Sequence, residues 1–228
     1  MGANLMSLAR SGDQFLKLYG DRKIVRTLPY DAEVEWLNFN RECSIVIDYT
    51  PQIFTSWFSI DVQFSGVFMT GGSTIILHAL NTENGQYFSA NFEARQHQGG
   101  QVFNWFGKVY DGVRTWILDA DYSARSEFNW RYNEASFNGK SVQTQGFTTD
   151  FLIPNDGISI FHGPFIAYAA IVYGIKFGFG SETTYDMIPV RFTNESGGSE
   201  GAMYDRVSGQ LFRNQGTGAF IIGPDKTI

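Results

Sequence analysis

Apolar and polar residues alternate over short stretches of this chain, as they do in β-strands that turn one face toward a core. The pattern is clearest in residues 56–64, where one set of alternate positions is more polar (Trp57, Ser59, Asp61, Gln63) and the other is apolar (Phe58, Ile60, Val62, Phe64). Similar stretches recur at a spacing of about 8–12 residues, and no long amphipathic helix separates them. The pattern predicts an all-β, antiparallel two-sheet sandwich and disfavours an α/β fold.

Turn-forming residues lie between several of these candidate strands. The dipeptides Asn84-Gly85, Asp111-Gly112 and Asn138-Gly139 are typical of two-residue hairpin turns, because both central positions must accept a positive φ. Gly209 predicts a further hairpin in which Asp205 and Ser208 bind backbone donors. The longest apolar region, residues 163–180, is interrupted by proline, glycine and lysine. It therefore predicts buried strands, and no membrane span is expected.

Residues 1–28 differ from the rest of the chain. Leu5, Leu8, Phe15 and Leu18 repeat with a weak helical period, which predicts a short helix or an arm that packs on the sandwich or on another subunit. The segment lacks the uninterrupted apolar core of a signal peptide. We therefore divide the chain into an N-terminal arm, 1–28, and a β-sandwich domain, 29–228.

Composition and charge reduce the range of possible functions. The chain has 228 residues with 21 Phe, 11 Tyr and 5 Trp, which is enough to build an aromatic-rich core without disulfides or metal. Its net charge of -6 and its lack of a large basic cluster disfavour nucleic-acid binding. The single cysteine, Cys43, is expected to be a small buried hydrophobe. No spacing of Cys and His predicts a metal site, and no motif predicts a cofactor.

One row of carboxylates is a candidate for catalysis. Asp31, Glu33 and Glu35 share a strand parity, as do the catalytic carboxylates of some glycoside hydrolases. Their order differs from that of the laminarinase-like enzymes, however, and charged residues on the solvent face of an edge strand are ordinary. Asp119 and Asp121, near Glu127, offer oxygen ligands for Ca²⁺ without a recognised ligand spacing. We therefore expect a protein that is not an enzyme, with glycoside hydrolysis as the least favoured alternative.

The C-terminal third carries a family resemblance. Residues 173–177 (Tyr-Gly-Ile-Lys-Phe) lead into 186–191 (Asp-Met-Ile-Pro-Val-Arg), and residues 201–220 contain Met-Tyr-Asp, Ser-Gly and Asn-Gln-Gly-Thr-Gly-Ala-Phe. This ending resembles the closing signature of concanavalin A-like, laminin-G-like domains found in phage virion proteins and Bacteroidetes surface proteins. Residues 28–37 resemble the first strand of the same family, so the resemblance covers about 28–224. It implies a jelly-roll sandwich, and a fold of this kind does not by itself fix a function.

Two non-enzymatic functions follow as expectations. The first is a phage virion structural or decoration protein, associated with the capsid or tail, which forms a homo-oligomer and docks on other virion proteins. The alternative is a lectin-like module of a bacterial cell surface. For glycan contact, in either setting, the candidate stacking residues are Trp105, Trp130 and Tyr132, although core packing would use the same residue types.

Overall fold

The computed structural model describes residues 10–11, 14–19, 23–26, 28–48, 56–65, 72–80, 87–97, 100–107, 114–118, 124–131, 134–143, 157–161 and 169–227. These residues form β1 (Arg10–Ser11), β2 (Gln14–Tyr19), β3 (Lys23–Arg26), β4 (Ala32–Glu33), β5 (Leu37–Phe39), β6 (Ile45–Ile47), β7 (Ser56–Ser65), β8 (Gly72–Leu80), β9 (Tyr87–His97), β10 (Gly100–Gly107), β11 (Arg114–Leu118), β12 (Ser126–Arg131), β13 (Glu134–Phe137), β14 (Lys140–Gln143), β15 (Ile158–Ile160), β16 (Ala169–Phe179), β17 (Glu182–Thr193), β18 (Ser199–Asp205), β19 (Leu211–Arg213) and β20 (Ile221–Ile222).

The strands form two large sheets and one small one. A six-stranded sheet has the order β11-β10-β9-β8-β15-β6, and a larger sheet has the order β14-β13-β12-β7-β16-β17-β18-β19, with β4, β5 and β20 paired beside this path. Every pairing within them is antiparallel. The predicted all-β, antiparallel sandwich is therefore confirmed. Within the described residues, no helix is long and apolar enough to cross a membrane.

The third sheet lies in the N-terminal segment, for which the sequence pattern predicted a short helix or an arm. Strands β1, β2 and β3 form a three-stranded antiparallel sheet, with Leu16 opposite Arg26 and Leu18 opposite Ile24. The helical interpretation of this segment was wrong at residues 14–19. Four apolar residues give only a weak period of 3.6, whereas a local hairpin supplies cross-strand hydrogen bonds to both of its strands.

The predicted hairpins pair as expected. Asn138 and Gly139 have φ values of 48° and 74° and join β13 to β14, as an Asn-Gly turn requires. Strands β8 and β9, and strands β10 and β11, also pair antiparallel. Their turn residues, 84–85 and 111–112, lie outside the described residues.

The core lies between the two large sheets. Ile45 and Ile160 on the six-stranded sheet and Leu37 and Val190 on the larger one are all 0% exposed. Phe39 joins the sheets, since its ring centroid lies 4.8 Å from that of Phe161, which follows β15. Three aromatic residues of the closing segment are buried, as is the free cysteine (Tyr204, Phe212, Phe220, Cys43).

An asparagine fastens the closing segment to the chain before β6. The Asn214 amide nitrogen donates to the Gly218 carbonyl at 2.6 Å, and its oxygen accepts from the backbone N–H groups of Ser44 and Gly216 at 2.9 Å each. A Cβ on Gly216 would overlap the carbonyl oxygen of Glu42. Close approach of the two backbones therefore requires a glycine at position 216.

Candidate functional site

A β-bulge in the central strand shapes the outer face of the larger sheet. Strand β16 pairs with β7 across its length, but the register shifts between Val172 and Gly174, so Tyr173 is an additional residue. Val172 and Ile175 are both buried although their parity differs, which is the effect of one inserted residue. The bulge places Tyr173 on the outer face, where its hydroxyl donates to Oε1 of Gln63 at 2.9 Å.

A groove of about 620 Å³ lies on this face, across β12, β7, β16 and β17. At one end, Arg125 donates two hydrogen bonds from Nε to the Asp61 carboxylate, at 3.0 and 3.1 Å, and a third from its terminal nitrogen. The Arg125 guanidinium also lies over the Tyr173 ring, 4.1 Å from its centroid. Hydrogen bonding to Asp61 raises the pKa of Arg125, so the guanidinium stays charged at every accessible pH.

The other end of the groove is a second set of ion pairs, centred on Asp186. Its carboxylate accepts from the Arg206 guanidinium, and Nζ of Lys176 lies 4.0 Å away. Lys226 lines the same end and lies 3.8 Å from the carboxylate of Glu33. Opposite charges therefore face one another at both ends. The groove offers many hydrogen-bond donors and acceptors with little uncompensated charge.

Two carboxylates of the groove lie opposite each other on neighbouring strands. Glu127 is directly opposite Asp61 on the neighbouring strand and accepts a 3.3 Å hydrogen bond from the Ser59 hydroxyl. Glu127 is exposed, and Asp61 is bound by Arg125.

Two of the three carboxylates in the row at 31–35 are bound by neighbouring side chains. The Asp31 carboxylate accepts from the Thr193 hydroxyl at 2.7 Å, while Glu33 accepts from the Tyr30 hydroxyl at 3.3 Å and faces Lys226. Glu35 is exposed. Asp119 and Asp121, the other acidic pair, lie outside the described residues, and among the described residues no cluster of His, Cys, Asp and Glu has the geometry to hold a metal ion.

The sequence-predicted stacking residues do not share one strand or sheet. Trp105 lies in β10 of the six-stranded sheet and Trp130 in β12 of the larger one, while Tyr132 lies outside the described residues. Sequence reasoning missed two aromatic residues of the outer face, Tyr173 and Trp57. The half-buried Trp57 ring lies against Gly178, where any Cβ would overlap it. The sequence did contain a signal for Trp57, because it occupies one of the more polar alternate positions of β7, which face away from the core.

Comparisons with known proteins add little to this geometry. No protein-family model matches the chain, and no curated protein matches it. The chain is similar in structure to domains LG4-5 of the mouse laminin alpha1 chain, with a TM-score of 0.43 and 9% sequence identity over 88% of this chain and 80% of that one. At this TM-score and identity, the similarity transfers neither a ligand nor a binding residue.

Proposed function

We propose that this chain is a non-enzymatic binding module that holds a carbohydrate in the groove of its larger sheet. The observation that carries the proposal is the set of paired, planar side chains at the two ends of the groove. Arg125 with Asp61 and Arg206 with Asp186 present fixed donors and acceptors side by side. A sugar hydroxyl is both a donor and an acceptor, so a ligand with many hydroxyls can satisfy both members of each pair.

The aromatic side chains favour an extended ligand. Trp57, Ser59 and Asp61 occupy alternate positions on the outer face of β7, and a strand rises about 3.3 Å per residue. Trp57 therefore lies about 13 Å along the strand from Asp61, a distance that spans several sugar rings. Because Arg125 already covers one face of the Tyr173 ring, hydrogen bonds at that end and stacking at Trp57 would share the recognition.

The experiment is a glycan array followed by titration calorimetry on the best oligosaccharide. Arg125→Ala should weaken its binding by about 10–100-fold, the loss expected for a charge-assisted hydrogen bond. Arg191→Ala is the matched control, because Arg191 makes a similar two-point contact with Asp225, at 3.1 and 2.7 Å, and does not line the groove. Equal losses in both variants, or no glycan bound at high protein concentration, would overturn the proposal. Release of shortened sugars from the bound oligosaccharide would overturn its non-enzymatic part.

The biological setting is a separate proposal, supported by the resemblance of residues 201–220. We place the module on a phage virion, as a structural or decoration component beside other virion proteins, with a bacterial cell surface as the alternative. Mass spectrometry of purified particles tests this setting. Absence of the chain from the particles would leave the cell-surface setting, and the groove experiment does not depend on either.

A further inference from the structure

A closed network of side chains lies at the Asp61 end of the groove. Asp61 and Gln63 occupy alternate positions of β7, so both lie on the outer face of the sheet. Arg125 donates to the Asp61 carboxylate, and the Tyr173 hydroxyl donates to Gln63 at 2.9 Å. The Arg125 guanidinium closes the network, since it lies 4.1 Å from the centroid of the Tyr173 ring. Contacts with two strands, β7 and β16, therefore hold one guanidinium in place.

The contacts with Asp61 use only part of the donor capacity of Arg125. A guanidinium is planar, with one N–H group on Nε and two on each terminal nitrogen. Nε and one terminal nitrogen donate to Asp61. At the tip of the guanidinium, two parallel N–H groups, one from each terminal nitrogen, make no hydrogen bond to any described residue. The Arg125 side chain is 59% exposed and lines the groove, so this pair of donors, here called the Arg125 fork, is accessible to a ligand.

A group that can accept hydroxyl protons lies beside the Arg125 fork. Glu127 follows Arg125 by two residues, and both side chains line the groove, about 7 Å apart along an extended chain. The exposed Glu127 carboxylate accepts a 3.3 Å hydrogen bond from the Ser59 hydroxyl, whereas a carboxylate has about four acceptor sites. This end of the groove therefore offers two fixed donors and, next to them, a carboxylate that can accept further protons.

We propose that this end of the groove recognises two hydroxyl groups on adjacent carbons of a neutral sugar, and that Gln63 positions Tyr173 and Arg125 for this contact. Given the proposed carbohydrate-binding function, on which this step rests, the two hydroxyl oxygens accept from the Arg125 fork and one hydroxyl proton is donated to Glu127. A planar fork fits two acceptors that are held side by side, as the oxygens of adjacent hydroxyl groups are. A sugar ring without such a pair would leave one N–H of the fork without an acceptor.

The charges at this end of the groove disfavour an anionic ligand. Asp61 already compensates the charge of Arg125, and Glu127 lies directly opposite Asp61 on the neighbouring strand. One positive charge and two negative charges therefore face the ligand. A carboxylate or sulfate group would be repelled by the second negative charge, whereas a hydroxyl group can donate to it.

Hexasaccharides with different linkages test the requirement for adjacent hydroxyl groups. Every ring of cellohexaose, mannohexaose and xylohexaose has free hydroxyl groups on adjacent carbons. Laminarihexaose has the same composition as cellohexaose, but in its internal rings the linkage occupies the carbon between the free hydroxyl groups. Hexagalacturonate keeps the adjacent pair and adds a carboxylate to every ring. In titration calorimetry, at least one of the first three sugars should bind about 10-fold or more tightly than laminarihexaose and hexagalacturonate do.

Variants of Arg125 and Gln63 test the protein side of the contact. Arg125→Lys keeps the positive charge beside Asp61 but lacks the fork, so it should weaken binding of the tightest hexasaccharide by about 10-fold or more. Gln63 does not line the groove, so Gln63→Leu should weaken binding by about 3–10-fold through the loss of the Tyr173 contact. Tyr173→Phe, which removes only the hydroxyl, should match it. Gln63→Glu keeps an acceptor for that hydroxyl and should bind within about 2-fold of the wild type.

The outcomes separate this contact from the proposed function. Circular dichroism first confirms that each variant is folded. Equal affinity for laminarihexaose, tightest binding of hexagalacturonate, or wild-type affinity in Arg125→Lys or in both Gln63→Leu and Tyr173→Phe would overturn the adjacent-hydroxyl contact and leave carbohydrate binding intact. Binding of other glycans on the array without binding of cellohexaose, mannohexaose or xylohexaose would do the same. If the wild type binds no glycan at all, the proposed function fails and this contact fails with it.

Discussion

Replacing Asp205 by alanine is the sharpest test of how the closing hairpin is held to the larger sheet. This carboxylate is 0% exposed and lies at the end of β18. It accepts backbone hydrogen bonds from Asp186 at 2.7 Å, from Ser208 at 2.8 Å and from Val207 at 3.2 Å. The bond from Asp186 comes from the neighbouring strand β17, so one side chain fixes both the turn and its attachment to the sheet.

The expected loss follows from the number of donors left without a partner. A buried donor that loses its acceptor costs about 1–3 kcal/mol. Three donors are affected here, but Val207 and Ser208 are exposed residues whose N–H groups water can reach, so Asp205→Ala should lower the free energy of unfolding by about 3–5 kcal/mol. Asp205→Asn should cost about half as much. Its amide oxygen can still accept from Asp186 and Val207, but its amide nitrogen would face the N–H of Ser208. Ser208→Ala, which removes one 3.3 Å bond to the N–H of Gln210, should cost under about 1 kcal/mol.

Urea unfolding followed by tryptophan fluorescence measures all three variants. With a slope of about 2–3 kcal/mol per molar urea, the Asp205→Ala midpoint should fall by about 1–2 M. The slope itself should not change, because the variants are folded in the same way. If Asp205→Ala unfolds within about 1 kcal/mol of the wild type, the carboxylate does not hold the hairpin and the reasoning is refuted.

Three further predictions rest on single observations. Gly216→Ala and Gly218→Ala should each lower the melting temperature measured by calorimetry by several degrees, because a Cβ at either position overlaps Glu42. Gly197 has open space around it, so Gly197→Ala should be destabilised only by the positive φ of 85° at that position. Burial raises the pKa of the Cys43 thiol, so this group should react with a thiol reagent only after the protein is unfolded, and fast labelling of the native protein would contradict its burial. Hydrogen bonding to Arg191 lowers the pKa of Asp225, so the ion pair stabilises the folded protein above the carboxyl group's ordinary pKa near 4, and this stabilisation is lost as the pH falls through the lower pKa of the folded state. Asp225→Asn should therefore make the free energy of unfolding less sensitive to acid. An unchanged pH profile of unfolding would show that the pair does not contribute to stability.

Much of the fold could be predicted from the sequence because its signals are local. The alternation in β7 identifies its buried face residue by residue, from Phe58 to Phe64, and the Asn138-Gly139 turn needs only two residues to define it. The closing hairpin was likewise predictable, since Asp205 and Gly209 act within their own turn. The helix alternative for the N-terminal segment was wrong at residues 14–19, because a weak period of 3.6 and an alternating pattern share the same few apolar residues, and the arm alternative stays a prediction.

The groove could not be predicted in the same way. Several of its members come from strands far apart in the chain, so that Asp61 meets Arg125 and Gln63 meets Tyr173 only through sheet pairing. The face of the sheet on which Tyr173 lies is the hardest to predict, because the inserted residue of the bulge shifts the alternation of inward and outward side chains along β16. Alternation assigns faces only while the register is unbroken, and a bulge is not visible in apolar and polar positions alone.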